Sequence, residues 1–331
     1  MKNEFKNKTI LVTGGTGSIG SELVTQLLRY KPKQVRIFSR NESRQYYLLE
    51  KIDHPQNVRT LIGDIRDKER LNFAMRGVEM VFHTAALKHV PFCEYNPHEA
   101  VKTNIIGSQN VIDTALENGV EKVIAISTDK AANPHNVMGT SKLMMEKLFI
   151  NTNHFTPQKG TRFSCVRFGN VGWSEGSVLN LWKNQAERRG TINLMNKDMT
   201  RFFMSIEQAV KLTIKAAELS KGGEVFILKM PSIKISELAK LFIKKHFPDK
   251  NIKINEVGDR VGEKIHEDLL GGSDSAKKVM ANEAMFILVP NADIYNLKPD
   301  IFNYKGFKRI DNKSNYSSEH NLKPDEINKI I

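Results

Sequence analysis

The sequence is poor in cysteine and lacks long apolar runs, and each shortage excludes a class of protein. Only two of its 331 residues are cysteines, Cys93 and Cys165, too few for a disulfide framework or a cysteine-rich metal cluster. No apolar run approaches the ~20 residues of a membrane-spanning helix. The N-terminus lacks the apolar core and cleavage site of a secretory signal. We therefore expect a cytoplasmic protein with unpaired thiols, no metal and no membrane partner.

Acidic residues are also scarce relative to basic ones. Fifty lysines and arginines against 37 aspartates and glutamates leave a formal net charge of +13. The basic residues are spread along the chain, with no basic-aromatic block and no nucleic-acid motif. We therefore expect a generally basic surface, which suits polyphosphorylated small ligands, and no nucleic-acid partner.

The first half of the chain alternates strand-like and helical stretches. Apolar runs such as "KTILVTGG" and "KVIAIST" are separated by stretches with helical apolar spacing, among them "SELVTQLLRY". This alternation predicts a Rossmann-like α/β fold with a doubly wound parallel sheet. Beyond residue 169, loops mix with helices and with short strands such as "EVFILKM", which favours a smaller mixed α/β lobe. The predicted units are therefore 1–169, for the cofactor, and 170–331, for the substrate, with interleaved boundaries.

A glycine-rich stretch, "TGGTGSIG", directly follows the first predicted strand and opens a helix. This is where a dinucleotide pyrophosphate meets a helix N-terminus. Gly14 would allow the tight turn, Gly17 the close approach of the phosphates and Gly20 the close packing of the helix. The GxxGxxG spacing is that of short-chain dehydrogenase-like enzymes. The remaining predicted contacts of this turn are Thr16, Ser18 and Ile19.

The end of the second predicted strand indicates which dinucleotide binds. NAD-binding folds usually place an acidic residue there, which bonds the ribose 2′-hydroxyl. Here "IFSRNE" offers Ser39 and Arg40, and a guanidinium suits a 2′-phosphate. We therefore expect NADP rather than NAD. Further cofactor contacts are predicted at the ends of the next two strands: Asp64, Ile65, Ala85 and Ala86.

The stretch "STDKAANPHNVMGTSK" has the spacing of a reductase-type active site, except that Met138 stands where a tyrosine is usual. A thioether has no exchangeable proton, so Met138 cannot perform acid–base catalysis. Lys142, four residues later, can still hold the nicotinamide ribose. The stretch therefore predicts either an inactive relative of an enzyme or an active site that uses other residues.

Such residues stand in the triplet Thr128, Asp129 and Lys130. It directly follows the fifth predicted strand, at the sheet edge where open α/β folds bind ligands. An adjacent acid and amine there could divide proton-transfer work, each changing the ionisation of the other. We therefore expect the triplet to be catalytic, together with Lys142.

Several motifs together point to one family: "TGGTGSIG", "AALKHVPFCEYNPHEAVKTNIIGSQNV", "STDKAANPHNVMGTSK", "RFGNV", "DMTRFFM", "RVGEKIHEDLL" and the late "NYSSEHN". In this order they resemble the UDP-N-acetylglucosamine 4,6-dehydratases of the extended short-chain dehydrogenase/reductase superfamily. Methionine in place of the tyrosine also occurs in branches of that family. The sequence departs from the family near Asn180 and at Val261, where proline is expected, and at Glu175, where a basic residue is frequent.

The resemblance implies an NADP-dependent hydro-lyase of polysaccharide or pseudaminic acid biosynthesis, and a homo-oligomer. The enzyme would oxidise C4 of UDP-N-acetylglucosamine, remove water across C5 and C6, and return hydride to C6. Lys130 would be the C5 base, which requires a lowered pKa, and Asp129 the acid for the departing 6-hydroxyl. Thr128 would bond the 4-hydroxyl. The expected substrate contacts are Lys88, Asn170, Arg201, Arg260 and Glu263.

Two other functions stay open at this point. A UDP-sugar epimerase would use the same transient 4-ketone, and a non-catalytic NADP-binding pseudoenzyme would account for Met138. The sequence also leaves open whether C5 is retained or inverted, whether a 5,6-ene is released, and which group takes the proton of the 4-hydroxyl. These questions depend on the geometry around the triplet.

Overall fold

Ten strands form the central sheet of this computed structural model, which describes residues 3–156, 160–258, 260–271, 274, 278–290, 302–310 and 316–331. Those of the first half are β1 (Thr9–Thr13), β2 (Gln34–Ser39), β3 (Val58–Ile62), β4 (Met80–His83), β5 (Lys122–Ile126) and β6 (Arg162–Arg167). They are parallel and lie in the order β3-β2-β1-β4-β5-β6. The strand order reverses between β1 and β4, where doubly wound sheets bind ligands. The predicted fold class is confirmed.

Helices connect these strands and cover both faces of the sheet. They are α1 (Ser18–Leu28), α2 (Glu42–Lys51), α3 (Lys68–Met75), α4 (Val90–Tyr95), α5 (Pro97–Ala100), α6 (Gly107–Glu117) and α7 (Val137–Phe155). Asn41, Asp67 and Asn136 begin α2, α3 and α7 by accepting a hydrogen bond from a backbone N–H of the first turn. All five residues of β1 and of β5 are buried. Such strands, covered on both faces, need the continuous apolar runs seen in the sequence.

The second half of the chain contributes to two places. Its strands are β7 (Asn170–Val171), β8 (Thr191–Leu194), β9 (Thr200–Met204), β10 (Val225–Leu228), β11 (Ser232–Lys234), β12 (Lys253–Glu256), β13 (Asp268–Leu270), β14 (Lys278–Ala281), β15 (Met285–Val289), β16 (Lys308–Ile310) and β17 (Tyr316–Ser317). Strand β10 pairs in parallel with β6, and β15, β14 and β16 continue the main sheet in antiparallel fashion. The stretch "EVFILKM", expected in the smaller lobe, therefore lies in the main sheet instead.

The smaller lobe has its own core on the carboxyl side of the main sheet. It is built from the β7-β9-β11 sheet, the β8-β12 pair and the helices α8 (Val178–Arg189), α10 (Ile235–His246) and α11 (Pro324–Asn328). Trp182, Phe203 and Phe242 are buried at its centre. The remaining helix, α9 (Ile206–Leu219), packs on α1 and on the main sheet. In the described part of the chain, no helix has the length and apolar character to cross a bilayer.

A buried ion-pair group fastens the late part of the chain to the main sheet. The Arg167 guanidinium at the end of β6 is fully buried and contacts Glu146 of α7 at 2.6 Å and Asp274 at 2.7 Å. Breaking a buried pair of this kind by removing one partner typically costs ~3–5 kcal/mol, because a charge is left uncompensated. The end of β6 is therefore fixed by residues from both halves of the sequence.

Candidate active site

The glycine turn after β1 forms one wall of a cleft at the switch point of the sheet. Gly14 has φ +67°, and a Cβ at this position would lie 2.7 Å from the backbone of Ala85. A Cβ at Gly20 would lie 2.3 Å from the carbonyl oxygen of Gly14. Only glycine therefore lets the turn and the start of α1 pack so closely. This glycine cleft is lined by Gly14, Thr16, Gly17, Phe38, Ser39, Arg40, Asn41, Arg44, Gly63, Asp64, Ile65, Thr84, Ala85, Ala86 and Thr103.

Three arginines surround the far end of the glycine cleft. Arg40, mostly exposed, lies 3.8 Å from the Asp64 carboxylate, and Arg66 contacts the same carboxylate at 2.7 Å. Burial opposes the ionisation of Asp64, but hydrogen bonds from Arg66 and the charge of Arg40 lower its pKa overall. Arg44, four residues after Arg40 in the first turns of α2, was not predicted from the sequence. The available signal was the closeness of Arg44 in sequence to the predicted strand end at Ser39 and Arg40.

A loop from the second half of the chain, residues 172–177, crosses over to the glycine cleft. The carboxylate of Glu175 in this crossing loop forms two hydrogen bonds with Arg44, one of them 3.0 Å long. The backbone N–H of Glu175 donates to the Ser18 hydroxyl at 2.8 Å, and the Lys88 ammonium donates to its carbonyl. Trp173, in the same loop, has φ +58°, which is strained for a residue with a side chain. The crossing loop thus spans the cleft from α1 to α2.

The predicted catalytic triplet lies in a short 3₁₀ turn directly after β5, where β5 meets the lobe. The Thr128 hydroxyl donates to Asp129 Oδ1 at 2.8 Å, and Lys130 Nζ lies 3.2 Å from the same oxygen. Lys130 Nζ also lies 3.1 Å from Glu267 Oε1, on the segment before β13. The side chains of Asp129 and Glu267 are each 1% exposed. The amine is therefore held between two buried carboxylates.

The pKa of Lys130 is shifted in the direction opposite to the one expected from the sequence. Burial alone would lower the pKa of Lys130, but the carboxylates of Asp129 and Glu267 outweigh it and raise the pKa above its ordinary value. The predicted lowering is therefore wrong, because the sequence pattern did not reveal Glu267 as a neighbour. Burial, assisted by the charge of Glu267, raises the pKa of Asp129 despite the opposing charge of Lys130. The pKa of Asp129 is thus shifted in the direction of a proton donor.

Residues expected to bind the substrate join the triplet in one buried network. Arg201 contacts Glu263 at 2.8 Å, and its Nε lies 4.0 Å from Glu267 Oε1. Lys264 lies 3.4 Å from the other oxygen of Glu267. We call this group the charge cluster; its members are Asp129, Lys130, Arg201, Glu263, Lys264 and Glu267.

The other predicted substrate residues lie around the charge cluster rather than in it. Asn170 is half-buried in β7, Arg260 is exposed, and Lys88 is held by the crossing loop. Lys264 and Glu267 were missed in the sequence, although both stand in the quoted motif "RVGEKIHEDLL". Their charged side chains within that motif were the available signal. The roles of all these residues toward a ligand stay predictions.

The carboxylates of Asp129 and Glu267 each have one oxygen without a hydrogen bond in the described part of the chain. Asp129 Oδ2 is buried and makes no hydrogen bond with any described residue, whereas Glu267 Oε2, also without a hydrogen bond, has the Lys264 ammonium 3.4 Å away. A Cβ at Gly169 would lie 2.5 Å from Cβ of Phe202 and 3.3 Å from Asp129 Oδ2, so glycine lets both β9 and this oxygen lie close to the backbone. Buried acceptors of this kind are costly unless a partner satisfies them. Asp129 Oδ2 can therefore accept a hydrogen bond from a ligand.

Comparison with known proteins places this geometry in a family. Residues 10–289 match the family described as polysaccharide biosynthesis protein. The chain belongs to that family. A Methanocaldococcus jannaschii relative, described as an uncharacterized membrane protein, is 48% identical over 94% of this chain and 97% of its own length. The UDP-N-acetylglucosamine 4,6-dehydratase (inverting) of Campylobacter jejuni is 43% identical over 96% of this chain and 94% of its own length.

One further relative and one solved structure are similar to the chain over nearly its whole length. The UDP-glucose 4-epimerase of Rickettsia akari is 38% identical over 99% of this chain and 96% of its own length. The X-ray structure of Pen from Bacillus thuringiensis is 41% identical, with a TM-score of 0.91, and the match covers 99% of this chain and 97% of that one. The resemblance predicted from the motifs is confirmed.

In this member of the polysaccharide biosynthesis family, the methionine at the usual tyrosine position is part of a small apolar cluster. Met138 is 4% exposed and packs with Val90, Cys93 and Ala100. Lys142 is buried beside it, and its Nζ donates to the carbonyl oxygen of Ile126 at 2.6 Å. Burial lowers the pKa of Lys142 to about 8, although the charges of Cys165 and Glu146 oppose the shift. Met138 therefore contributes apolar packing at this position, and Lys142 is held against the end of β5.

The lowered pKa of Lys142 should be measurable as a pH dependence of stability. Between its folded value of about 8 and its ordinary value of 10.5, the unfolded chain holds more protons at this position than the folded chain. The contribution of Lys142 to the unfolding free energy therefore rises with pH over this interval. Urea unfolding of the dinucleotide-free protein at several pH values tests this. As pH rises, the unfolding free energy of the parent protein should increase relative to that of Lys142→Met. Parallel pH curves for the two proteins would contradict the assignment.

Proposed function

We propose that the chain is an NADP-dependent UDP-N-acetylglucosamine 4,6-dehydratase, a hydro-lyase. The observation that carries this proposal is the contact between Asp129 and Lys130, at 3.2 Å, buried at the carboxyl edge of a doubly wound sheet. Elimination of water needs one group that takes a carbon-bound proton and another that protonates the departing hydroxyl. The 43% identity to a curated dehydratase of this name supports the same reaction.

The glycine cleft supplies the features that a dinucleotide needs. Gly14 and Gly20 let its backbone approach a pyrophosphate at the N-terminus of α1, where the helix dipole favours negative charge. Ser39 and Arg40 stand at the end of β2, and Arg44 adds a second guanidinium suited to a 2′-phosphate. We therefore propose NADP rather than NAD. When bound, the dinucleotide would take a hydride from C4 of the hexose and return it to C6.

Thr128 and Asp129 replace the tyrosine at the first step. In this proposal the Thr128 hydroxyl bonds the 4-hydroxyl of the sugar and passes its proton to Asp129 Oδ1, along the 2.8 Å hydrogen bond already present. Asp129 thereby becomes a neutral acid, the form that its raised pKa favours. Met138 takes no part in the proton transfer, because its thioether has no proton to exchange.

Lys130 and Asp129 then divide the elimination. With a ketone at C4, the C5 proton becomes acidic because the carbanion delocalises onto the C4 oxygen. Lys130, in its neutral form, takes this proton, and Asp129 protonates the 6-hydroxyl as the C6–O bond breaks and water leaves. The Lys130 ammonium returns a proton to C5 as C6 is reduced, which leaves a 4-keto-6-deoxy sugar. Because its pKa is raised, Lys130 must lose a proton before it can act as the base.

The substrate is proposed to lie between the main sheet and the lobe. Residues 1–169 would hold NADP and residues 170–331 most of the UDP-sugar, with Lys88, Asn170, Arg201, Arg260 and Glu263 as contacts. Arg201 pairs with Glu263 in the structure, so binding of a diphosphate by Arg201 would exchange one anionic partner for another. We also propose a cytoplasmic location, and a homo-oligomer as the resemblance implies.

A mass measurement tests this function against the alternatives. Purified protein with bound dinucleotide is incubated with UDP-N-acetylglucosamine, and the product is weighed by mass spectrometry. Dehydration lowers the mass by about 18 units, since the proposed mechanism removes one water. An isomer of unchanged mass would instead support an epimerase, the activity named for the Rickettsia relative. An unaltered substrate would favour a binding protein without activity.

A further inference from the structure

Glu267 is brought to the catalytic triplet from a distant part of the chain. It lies just before β13, is 1% exposed, and places Oε1 at 3.1 Å from Lys130 Nζ. Among the described residues, the carboxylates in ion-pair contact with this amine are those of Asp129 and Glu267. Lys130 thus has one carboxylate from its own turn and one from the segment that also carries Glu263.

The backbone of Glu267 is held in place by the late motif "NYSSEHN". Its N–H donates to the Ser318 hydroxyl at 2.9 Å, and its carbonyl accepts from the Ser318 N–H at 2.8 Å. The Ser318 hydroxyl is fully buried and lies 2.7 Å from Thr200 Oγ1. Two backbone hydrogen bonds thus fix Glu267, and its buried carboxylate contacts the Lys130 amine. The position of that amine is therefore fixed as well. The late motif therefore acts on the catalytic edge through Glu267.

We propose that Glu267 is a positioning residue for the dehydration: it holds the Lys130 amine against Asp129 and sets the charge state of both. This inference rests on the proposed function. Replacing Glu267 by the neutral, similarly shaped glutamine should leave the amide oxygen able to accept from Lys130, while the negative charge is lost. The amine would then have one anionic neighbour in place of two.

The expected direction follows from the charges around Glu267. It is faced by Asp129 and Lys130 from the turn after β5, by Arg201 from β9, and by Lys264 from its own segment. Glu263 pairs with Arg201. The charge of Glu267 raises the pKa of Lys130 and also that of Asp129. Loss of that charge lowers both values, so both groups lose a proton at a lower pH. The proposed mechanism starts from a neutral Lys130 and an ionised Asp129, so the acid limb of the pH profile of kcat/KM should move to lower pH.

The test compares pH profiles of water loss for the parent enzyme, Glu267→Gln, Glu267→Asp and Glu224→Gln. Glu224 is a matched control, because it is also fully buried and hydrogen-bonded but lies at the start of β10, where it contacts Ser164 and Tyr304. Glu267→Gln should move the acid limb to lower pH. It should also lower the maximal kcat/KM at least tenfold, because the Lys130 amine is no longer held between two carboxylates. Glu267→Asp keeps the charge, so its pH profile should lie at the same pH as that of the parent enzyme, even where its maximal kcat/KM is lower. Glu224→Gln should leave the position of the profile unchanged.

The outcomes separate this inference from the proposed function. A uniform loss of activity in Glu267→Gln without displacement of the profile would mean that Glu267 is only structural, and would overturn the inference. So would an equal displacement in Glu224→Gln. If the parent enzyme itself removes no water from UDP-N-acetylglucosamine, the proposed function fails instead. In that case the inference is overturned with it, because there is no dehydration for Glu267 to support.

Discussion

Replacing Lys130 with alanine should abolish water loss while the dinucleotide stays bound. Lys130 lies in the charge cluster, in contact with Asp129 and Glu267, and does not line the glycine cleft. Loss of a general base typically costs ~10²–10⁴-fold in rate, and alanine offers no group that could take the C5 proton. We expect a fall of this size in product formation, measured by mass spectrometry. In deuterated solvent, C5 should no longer exchange its hydrogen.

The matched control for this prediction lies at the start of β5, the strand that leads into the turn with Lys130. Lys122, the first residue of β5, is also buried, and it pairs with Glu4 at 2.8 Å. Lys122→Ala should cost stability, because it leaves a carboxylate without its partner, but should keep dehydration near the parent rate. Normal turnover in Lys130→Ala, or an equal loss in both variants, would refute the role of Lys130 as the base.

Replacing Gly14 with alanine should remove dinucleotide binding. An added methyl group would lie 2.7 Å from the backbone of Ala85 and 2.9 Å from the Thr84 hydroxyl, so the wall of the glycine cleft would have to move. Overpacking of this kind costs ~1–3 kcal/mol, and the left-handed backbone adds ~1–2 kcal/mol. We expect dinucleotide affinity, measured by calorimetry, to fall by at least about tenfold, the equivalent of ~1.4 kcal/mol.

A control at Gly119 distinguishes the cost of the steric clash from the cost of the left-handed backbone. Its φ of +64° is close to the +67° of Gly14, but a Cβ there would meet no heavy atom within 4 Å. Gly119→Ala should therefore destabilise folding by ~1–2 kcal/mol, the cost of a left-handed backbone with a side chain, and leave dinucleotide affinity unchanged. If both variants bound the dinucleotide equally well, the close approach at Gly14 would have no role in binding.

The parts of the molecule that follow local rules were predictable from the sequence. The glycine turn is specified within a few residues, because a strand, a left-handed glycine and a helix N-terminus follow one another directly. The parallel strands of the first half are specified by continuous apolar runs that can be buried on both faces. The position of the triplet after β5 follows from the same pattern, since ligands bind at the carboxyl ends of such strands.

The charge state of the site was not predictable in this way. Lys130 and Glu267 are distant in sequence and meet only because β13 packs beside the turn after β5. No local pattern reports such a neighbour, so the sign of the pKa shift of Lys130 was wrong. The pairing of Arg44 with Glu175 has the same origin, because it joins α2 to a loop from the second half. The choice of NADP and the individual substrate contacts stay predictions.

The interleaved main sheet has a consequence for synthesis of the protein on the ribosome. A nascent chain completes the glycine turn and strands β1 to β6 before β10, Glu267 or Asp274 exists. Until those residues emerge, β6 is an open edge able to pair with another chain, and the Arg167 guanidinium lacks the Asp274 carboxylate that it contacts in the finished fold. The first half of the chain is therefore not a portable module, and a truncated chain ending near residue 169 should aggregate rather than fold.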